Sequence, residues 1–225
     1  GKGGCIKLGI PFWRGACVLP QVLPAFHKKY PNITFSLTER RAQLLIEALK
    51  ENNIDLAVMN IPAVFDYSNI VYEVLLKERL LLAVSTNNEF VQKALKSAPL
   101  SNGYPSVSMD ILQKIPLIIS TIGQNATTAI NHALLKNHSE PKVLLETANL
   151  TTAINLVAES MGCTFVPEAG AKVCHRPGSV VYLTIDVPEL VWPLAVVYRR
   201  DAYLPKICQL FINSLKFSLG RDAKR

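Results

Sequence analysis

The sequence predicts an α/β protein built from two βα series, each with a mostly parallel, helix-covered sheet. Three observations predict it. Of 225 residues, 49% are hydrophobic and 18% charged, enough apolar surface for a sizeable core and too little charge for a disordered chain. The first sixty residues alternate short apolar runs with helical-period segments in the order β-α-β-α-β, the arrangement of a parallel sheet with crossover helices. A second series of the same kind begins at Pro116. Neither a glycine period nor a sustained heptad is present, which excludes collagen-like and coiled-coil folds. No apolar stretch approaches the roughly 20 residues that a bilayer crossing takes.

Ile6–Ile10 is a short apolar run rich in β-branched residues and reads as a buried strand. Pro11-Phe12-Trp13-Arg14-Gly15 breaks that pattern. From Cys17 the period becomes helical: Val18, Leu19, Val22, Leu23, Phe26 and Tyr30 recur at steps of three and four, and Tyr30-Pro31 ends the helix. Ile33, Phe35 and Leu37 alternate with Thr34 and Ser36, predicting a strand with one buried face. Residues 43–52 read as a helix with Leu45, Ile46 and Leu49 inward, Asn53 as its stop, and Ile54–Met59 as the next strand. Val71–Leu76 and Leu80–Ser85 read as two further strands, Phe90–Leu95 as a short helix, and residues 98–108 as loop. In the second series Leu117–Ser120 is a strand, residues 121–125 a turn, Thr127–Lys136 a helix, Val143–Glu146 a strand and Leu150–Ser160 a helix. Cys163–Val166 is a strand closed by Pro167, Val180–Ile185 and Leu194–Tyr198 are strands, and Leu204–Leu219 is an amphipathic helix with Ile207, Leu210, Phe211, Ser214 and Leu215 on one side.

The formal charge is +7, from 24 Lys and Arg against 17 Asp and Glu. The excess is scattered in small groups such as Lys28-Lys29, Arg40-Arg41 and Arg199-Arg200, which read as solvated surface rather than as a nucleic-acid groove. Five cysteines, an odd number without a CxxC pair, fit reduced thiols in a cytoplasmic protein better than a disulfide framework. Gly1-Lys2-Gly3-Gly4 reads as linker, with neither a secretory signal nor an initiator Met, so these residues are expected to belong to a longer protein. Without such a signal, the sequons at Asn32, Asn125, Asn137 and Asn149 carry no meaning.

Several stretches carry a resemblance. Ile6-Lys7-Leu8-Gly9-Ile10, then Leu19-Pro20, Phe26, Tyr30-Pro31, Glu39 and Ile54-Asp55-Leu56-Ala57-Val58 follow one another in order. Glu78–Val84 and the run Leu156–Pro167, with Gly162 before Cys163, complete the pattern. Together these resemble the effector-binding domain of LysR-type transcriptional regulators over nearly the whole chain. Cys163-Thr164 departs from it, standing where the family has Gly followed by an aliphatic residue. The resemblance implies a type 2 periplasmic-binding-protein-like fold of two lobes joined by two crossover strands, with an effector cleft between them. Lobe I would be residues 4–82 plus 194–219 and lobe II residues 83–193. The family's N-terminal winged helix-turn-helix domain is absent from this chain, so no residue here would read DNA bases.

In open α/β sheets ligands bind at the carboxyl ends of strands, where helix N-termini offer unpaired N–H groups and partial positive charge. Three segments meet that description, and the resemblance implies that the same three line the effector site: Pro11, Phe12, Trp13 and Arg14; Thr121, Gln124 and Asn125; and Val166, Pro167 and Glu168. Arg14 is expected either to pair with a carboxylate or phosphate or to be a solvated surface arginine. Phe12 and Trp13 would wall a ligand, or Trp13 would be a partly buried structural residue. Thr121, Gln124 and Asn125 would hydrogen-bond an effector, and Thr121 or Asn125 equally suits a helix cap. Glu168 would hold an amine, or complement a helix dipole in a first turn.

Enzyme readings find little in the sequence. It lacks GxSxG, HExxH, GxGxxG and P-loop motifs. Cys174-His175 with Cys163 would supply three metal ligands, but chain neighbours do not automatically face one site, and no metal or cofactor is expected. His27, His132 and His138 fall on expected surface. Cys17, near a helix N-terminus, and Cys163 are the thiols for which a redox role is conceivable, against the default of a buried free cysteine. The expected function is ligand sensing in a bacterial, cytoplasmic LysR-type regulator, with a small-molecule effector and no membrane contact. The resemblance implies a homodimer through lobe I of one chain and lobe II of the other, Leu19–Tyr30 and Ile33–Leu37 meeting the partner's second lobe. It also implies a tetramer at full length and DNA contact only through the missing domain. A transport-type solute-binding protein and an enzyme on a similar scaffold are the alternatives.

Overall fold

Ile6, Leu8 and Ile10 are fully buried along the first strand, and the chain order of apolar runs becomes one sheet order around them. The structure is a computed structural model that describes residues 3–61, 68–120, 124–173 and 178–222. The side chains of Ser120, Gln124, Asn125, Arg221 and Asp222 lie outside that description. The chain divides into two units, Gly1–Lys77 with Pro193–Arg225, and Glu78–Trp192.

The first unit contains β1 (Gly4–Ile10), α1 (Phe12–Lys29), β2 (Ile33–Glu39), α2 (Ala42–Lys50) and β3 (Leu56–Asn60). It continues into the first part of β4 (Ile70–Ser85). The second unit takes the rest of β4, then α3 (Glu89–Leu95), a small hairpin of β5 (Leu100–Ser101) and β6 (Tyr104–Pro105), and β7 (Leu117–Ser120). α4 (Gln124–Lys136), β8 (Val143–Thr147), α5 (Leu150–Ala158), β9 (Cys163–Pro167), α6 (Glu168–Val173) and β10 (Val180–Leu183) follow. β11 (Val191–Arg199) returns the chain to the first unit, which α7 (Lys206–Asp222) completes.

The strand order is β2-β1-β3-β11-β4-β9-β7-β8, with β10 paired to β4. β1 runs parallel to β2 from Gly4↔Ile33 to Ile10↔Glu39, and parallel to β3. In the second unit β7 is parallel to β8, ending at Ser120↔Thr147, and parallel to β9. β11 opposes β3, and β4 opposes β9 and β10. In each unit, therefore, the parallel strands end on one common edge.

One core of the first unit lies between α1, α7 and the sheet, where Phe26 packs against Phe211 with ring centroids 5.2 Å apart and against Phe35 at 5.7 Å. Edge-to-face contacts of this kind add to the apolar burial itself. On the opposite face Leu45, Ile46 and Leu49 of α2 meet Ala57, Met59 and Ala195. The second unit repeats the plan, α4 covering one face and α5 the other.

Several elements differ from the sequence reading. α1 begins at Phe12, not at Cys17, because Pro11 (φ −63°, ψ 141°) already provides the N-cap and its carbonyl accepts from Gly15 N at 2.8 Å. Residues 71–76 and 80–85 form one strand, since the charged triplet Lys77-Glu78-Arg79 stays extended and Glu78 is buried there. Residues 98–108 hold the small hairpin. β2 does not bury a whole face: Ile33 is buried, whereas Leu37 is 44% exposed at the end of the strand order. On α7 the inward side is Cys208, Phe211, Ile212, Leu215 and Leu219, with Ile207 and Leu210 only at its margin.

Candidate functional site

The carboxyl edge of the first unit is made by Ile10, Glu39 and Asn60, the last residues of three parallel strands. α1 starts against it. Phe12 is 69% exposed, while Trp13 is half-buried and lies over the Arg14 guanidinium, whose central carbon is 4.0 Å from the ring centroid. Arg14 is fully buried at 0% exposure, and its Nη2 donates to Asn60 Oδ1. Asn60 in turn donates from Nδ2 to the Pro193 carbonyl at 3.4 Å, and Ile61 N donates to the same oxygen at 3.1 Å. The hydrogen bond to Asn60 and the Trp13 ring over its flat face offset part of the cost of burying this guanidinium. Arg14 is thus neither a solvated arginine nor a mobile arm: it is a fixed positive charge at a helix N-terminus. Gly15 brings α1 close to the strand ends, since a Cβ there would stand 3.2 Å from Glu39 Oε1. Neither Asn60 nor Glu39 is among the sequence candidates. The available signal is a polar residue closing an apolar run, Ile54–Met59 then Asn60.

In the second unit the carboxyl edge is formed by the ends of β7, β8 and β9. Thr121 lies outside the described residues. Gln124 and Asn125 are the first two residues of α4, not part of a preceding turn. Asn149, after β8, caps α5 by accepting from Thr151 N at 2.9 Å and Thr152 N at 3.3 Å. The side chain of Val166 is fully buried in the core with Leu150 and Ala171, so it can offer a ligand no more than backbone. Pro167, also buried, ends β9 opposite Leu80. Glu168 is half-buried as the first residue of α6. Burial, followed by the negative charge of Glu168, raises the Tyr104 hydroxyl above its ordinary pKa. Tyr104 therefore belongs to this edge, and no sequence signal marked it.

The thiol expectations change as well. Burial pushes Cys163 up to about 12, so it stays a thiol, with Sγ 3.5 Å from the Pro116 carbonyl. Cys17 is buried in the second turn of α1, displaced from the N-terminus by the earlier helix start. Among the described residues no group of three or more potential ligands comes together for a metal ion. Cys174 and His175 lie outside those residues. No helix of the described residues is long and apolar enough to cross a membrane.

A family model described as the LysR substrate binding domain matches residues 1–219. The chain belongs to this family. Its relatives include the uncharacterized HTH-type transcriptional regulator YwbI of Bacillus subtilis, 25% identical over 99% of this chain and 69% of that protein. The transcriptional dual regulator GltC of the same organism is 26% identical over 89% of the chain and 63% of its own length. Among solved structures, a LysR family regulator from Pseudomonas aeruginosa superposes with a TM-score of 0.81 at 20% identity, over 97% of this chain and 71% of that one. The effector-binding domain of BenM with its effector benzoate gives 0.80 at 18% identity, covering 98% and 94%. That of QuiR in complex with shikimate gives 0.77 at 20% identity, covering 98% and 99%. The fold is accordingly that of LysR effector-binding domains, the two-lobed type 2 periplasmic-binding-protein-like fold.

Proposed function

We propose that this LysR substrate-binding domain is the sensing part of a bacterial transcription regulator. It binds a small organic acid at the carboxyl ends of its parallel strands and transmits binding through its oligomer to DNA. The observation that carries this reading is the fixed Arg14 charge at the N-terminus of α1, on the edge where three parallel strands end. A buried cation and a helix N-terminus both favour an anion, and the field between them is weakly screened. BenM and QuiR, whose effector-binding domains have this fold, carry benzoate and shikimate.

The proposed effector residues are Pro11, Phe12, Trp13 and Arg14, with Thr121, Gln124 and Asn125, the backbone of Val166, Pro167 and Glu168. Phe12 and Trp13 would supply apolar walls. Glu168 would oppose a second carboxylate or hold an amine. The two units act as the two lobes, and no cofactor or metal takes part. The protein works in the cytoplasm, away from membranes, as a homodimer in which α1 and β2 of one chain meet the second unit of the other. At full length it forms a tetramer, with DNA held by a winged helix-turn-helix domain outside these residues. An effector that binds one arrangement more tightly shifts the balance by its differential affinity alone.

A thermal-shift screen of organic acids, aromatic acids and amino acids is expected to raise the melting temperature with one class of carboxylates. Phe12→Ala, which removes an exposed side chain with little effect on stability, is expected to weaken those hits several-fold. A panel without hits, or hits indifferent to Phe12→Ala and Gln124→Ala alike, would count against this site.

A further inference from the structure

Asn60 closes β3 after four fully buried residues, Leu56–Met59, and is itself only 6% exposed. A buried amide costs free energy unless its oxygen and its nitrogen both find partners. Here the two partners differ in kind. The Arg14 guanidinium has donors and no acceptor, so only an acceptor can meet it, and Asn60 Oδ1 takes its Nη2. The Pro193 carbonyl has no proton to give, so only a donor can meet it, and Asn60 Nδ2 lies 3.4 Å away. A carboxylate at position 60 could serve the first partner but not the second. A hydrocarbon of the same shape could serve neither. Of the side chains of this shape, the asparagine amide alone joins a guanidinium to a carbonyl.

The two ends of this link belong to different parts of the first unit. At one end, Pro193 lies in β11, its carbonyl also accepts from Ile61 N at 3.1 Å, and its neighbour Leu194 is the cross-strand partner of Asn60. That end is held by the sheet. At the other end, the guanidinium belongs to the first turn of α1 and carries the half-buried Trp13 ring over its flat face. Asn60 therefore ties two candidate effector residues to the sheet.

We infer that Asn60 is a positioning residue of the effector site, which fixes where the Arg14 charge and the Trp13 ring stand without touching the effector itself. This rests on the functional reading above and adds to it a residue that acts through another. Asn60→Asp is the substitution that separates this role from a purely structural one. It keeps an oxygen for Arg14, sets oxygen against oxygen at Pro193, and brings a negative charge beside the guanidinium. The field that favours a carboxylate is then opposed at its source.

The test uses benzoate, shikimate and phenylalanine as probes, each beside its methyl ester, with affinities measured by calorimetry on the wild-type chain and on Asn60→Asp. The wild-type chain is expected to bind the acid more tightly than the ester, and Asn60→Asp to narrow that ratio by about tenfold or more. A change that merely loosened the fold would weaken acid and ester alike and leave the ratio in place. In parallel, the ¹⁵N-labelled side-chain amide signal of Asn60 is expected to shift when the wild-type chain is saturated with the acid, a readout that stands even if the variant folds poorly. An unchanged acid-to-ester ratio in Asn60→Asp, or an Asn60 amide signal that stays in place under saturating acid, overturns the inference alone. A panel without hits overturns the functional reading and this inference with it.

Discussion

Gly162 has no room for a side chain. A Cβ there would stand 2.5 Å from the Pro116 carbonyl oxygen, which already accepts from Cys163 N at 2.8 Å, and the residue holds φ +159°. The clash is with the Pro116 backbone, which is held in the sheet and cannot yield as a side chain would, so Gly162→Ala is expected to destabilise the protein by about 1–3 kcal/mol, read as a lower urea midpoint at unchanged slope. A substitution that left the midpoint in place would mean that β7 and β9 can part locally. Gly162 was legible in the sequence as part of a motif, although its reason was not, because the clash involves Pro116, far away in the chain. Arg14 was legible as a candidate, and of its two alternatives the solvated surface arginine fails, because the residue is fully buried. Its burial depends on Asn60 and on the Trp13 face, and neither a hydropathy pattern nor a spacing reports such a pairing.

At the scale of elements, Glu73 of β4 links β4, β11 and α7. It accepts from Tyr198 Oη at 2.8 Å and pairs with Lys216 Nζ. The Lys216 contact chiefly, opposed by desolvation, holds the Glu73 carboxyl below the ordinary glutamate range, while burial first and then Glu73 push Tyr198 up to about 12. A depressed carboxylate contributes stability that is complete above its unfolded-state value and lost as pH falls through its lower folded-state value. With both partners partly exposed the contribution is under about 1 kcal/mol. Glu73→Gln is therefore expected to lower stability slightly near pH 7 and to converge on the wild type in acid, in denaturant titrations across pH 3–7. Equal differences at every pH would remove the charge from the explanation. Element identity was largely legible: the periodic helices and apolar strands stand close to where their patterns put them. The failures came where tertiary context overrides local signals. A charged triplet stayed inside β4 because the strand is paired on both sides of it, and α1 began early because proline fixes a dihedral that a helix can use.

At the scale of the whole molecule, the two ends of the strand order, β2 and β8, both carry exposed apolar side chains, Leu37 on one and Val143 and Leu144 on the other. Uncovered edge strands of this kind invite pairing or association, in line with the proposed homodimer. Sedimentation equilibrium is expected to give a dimer, and Leu37→Lys to move it toward monomer. A monomer at high protein concentration would overturn that arrangement. The two βα series and their order were readable from the chain. The chemistry of the edges was readable only in part, because Asn60 and Tyr104 gain their significance from neighbours distant in sequence.

β4 has a further consequence. One sixteen-residue strand serves both units, and the second unit is a single uninterrupted insert between Lys77 and Pro193. Evolution or an engineer can therefore graft a foreign insert at those two joints as one cassette. The first unit has no such freedom, for its two pieces must be inherited together to make a sheet at all.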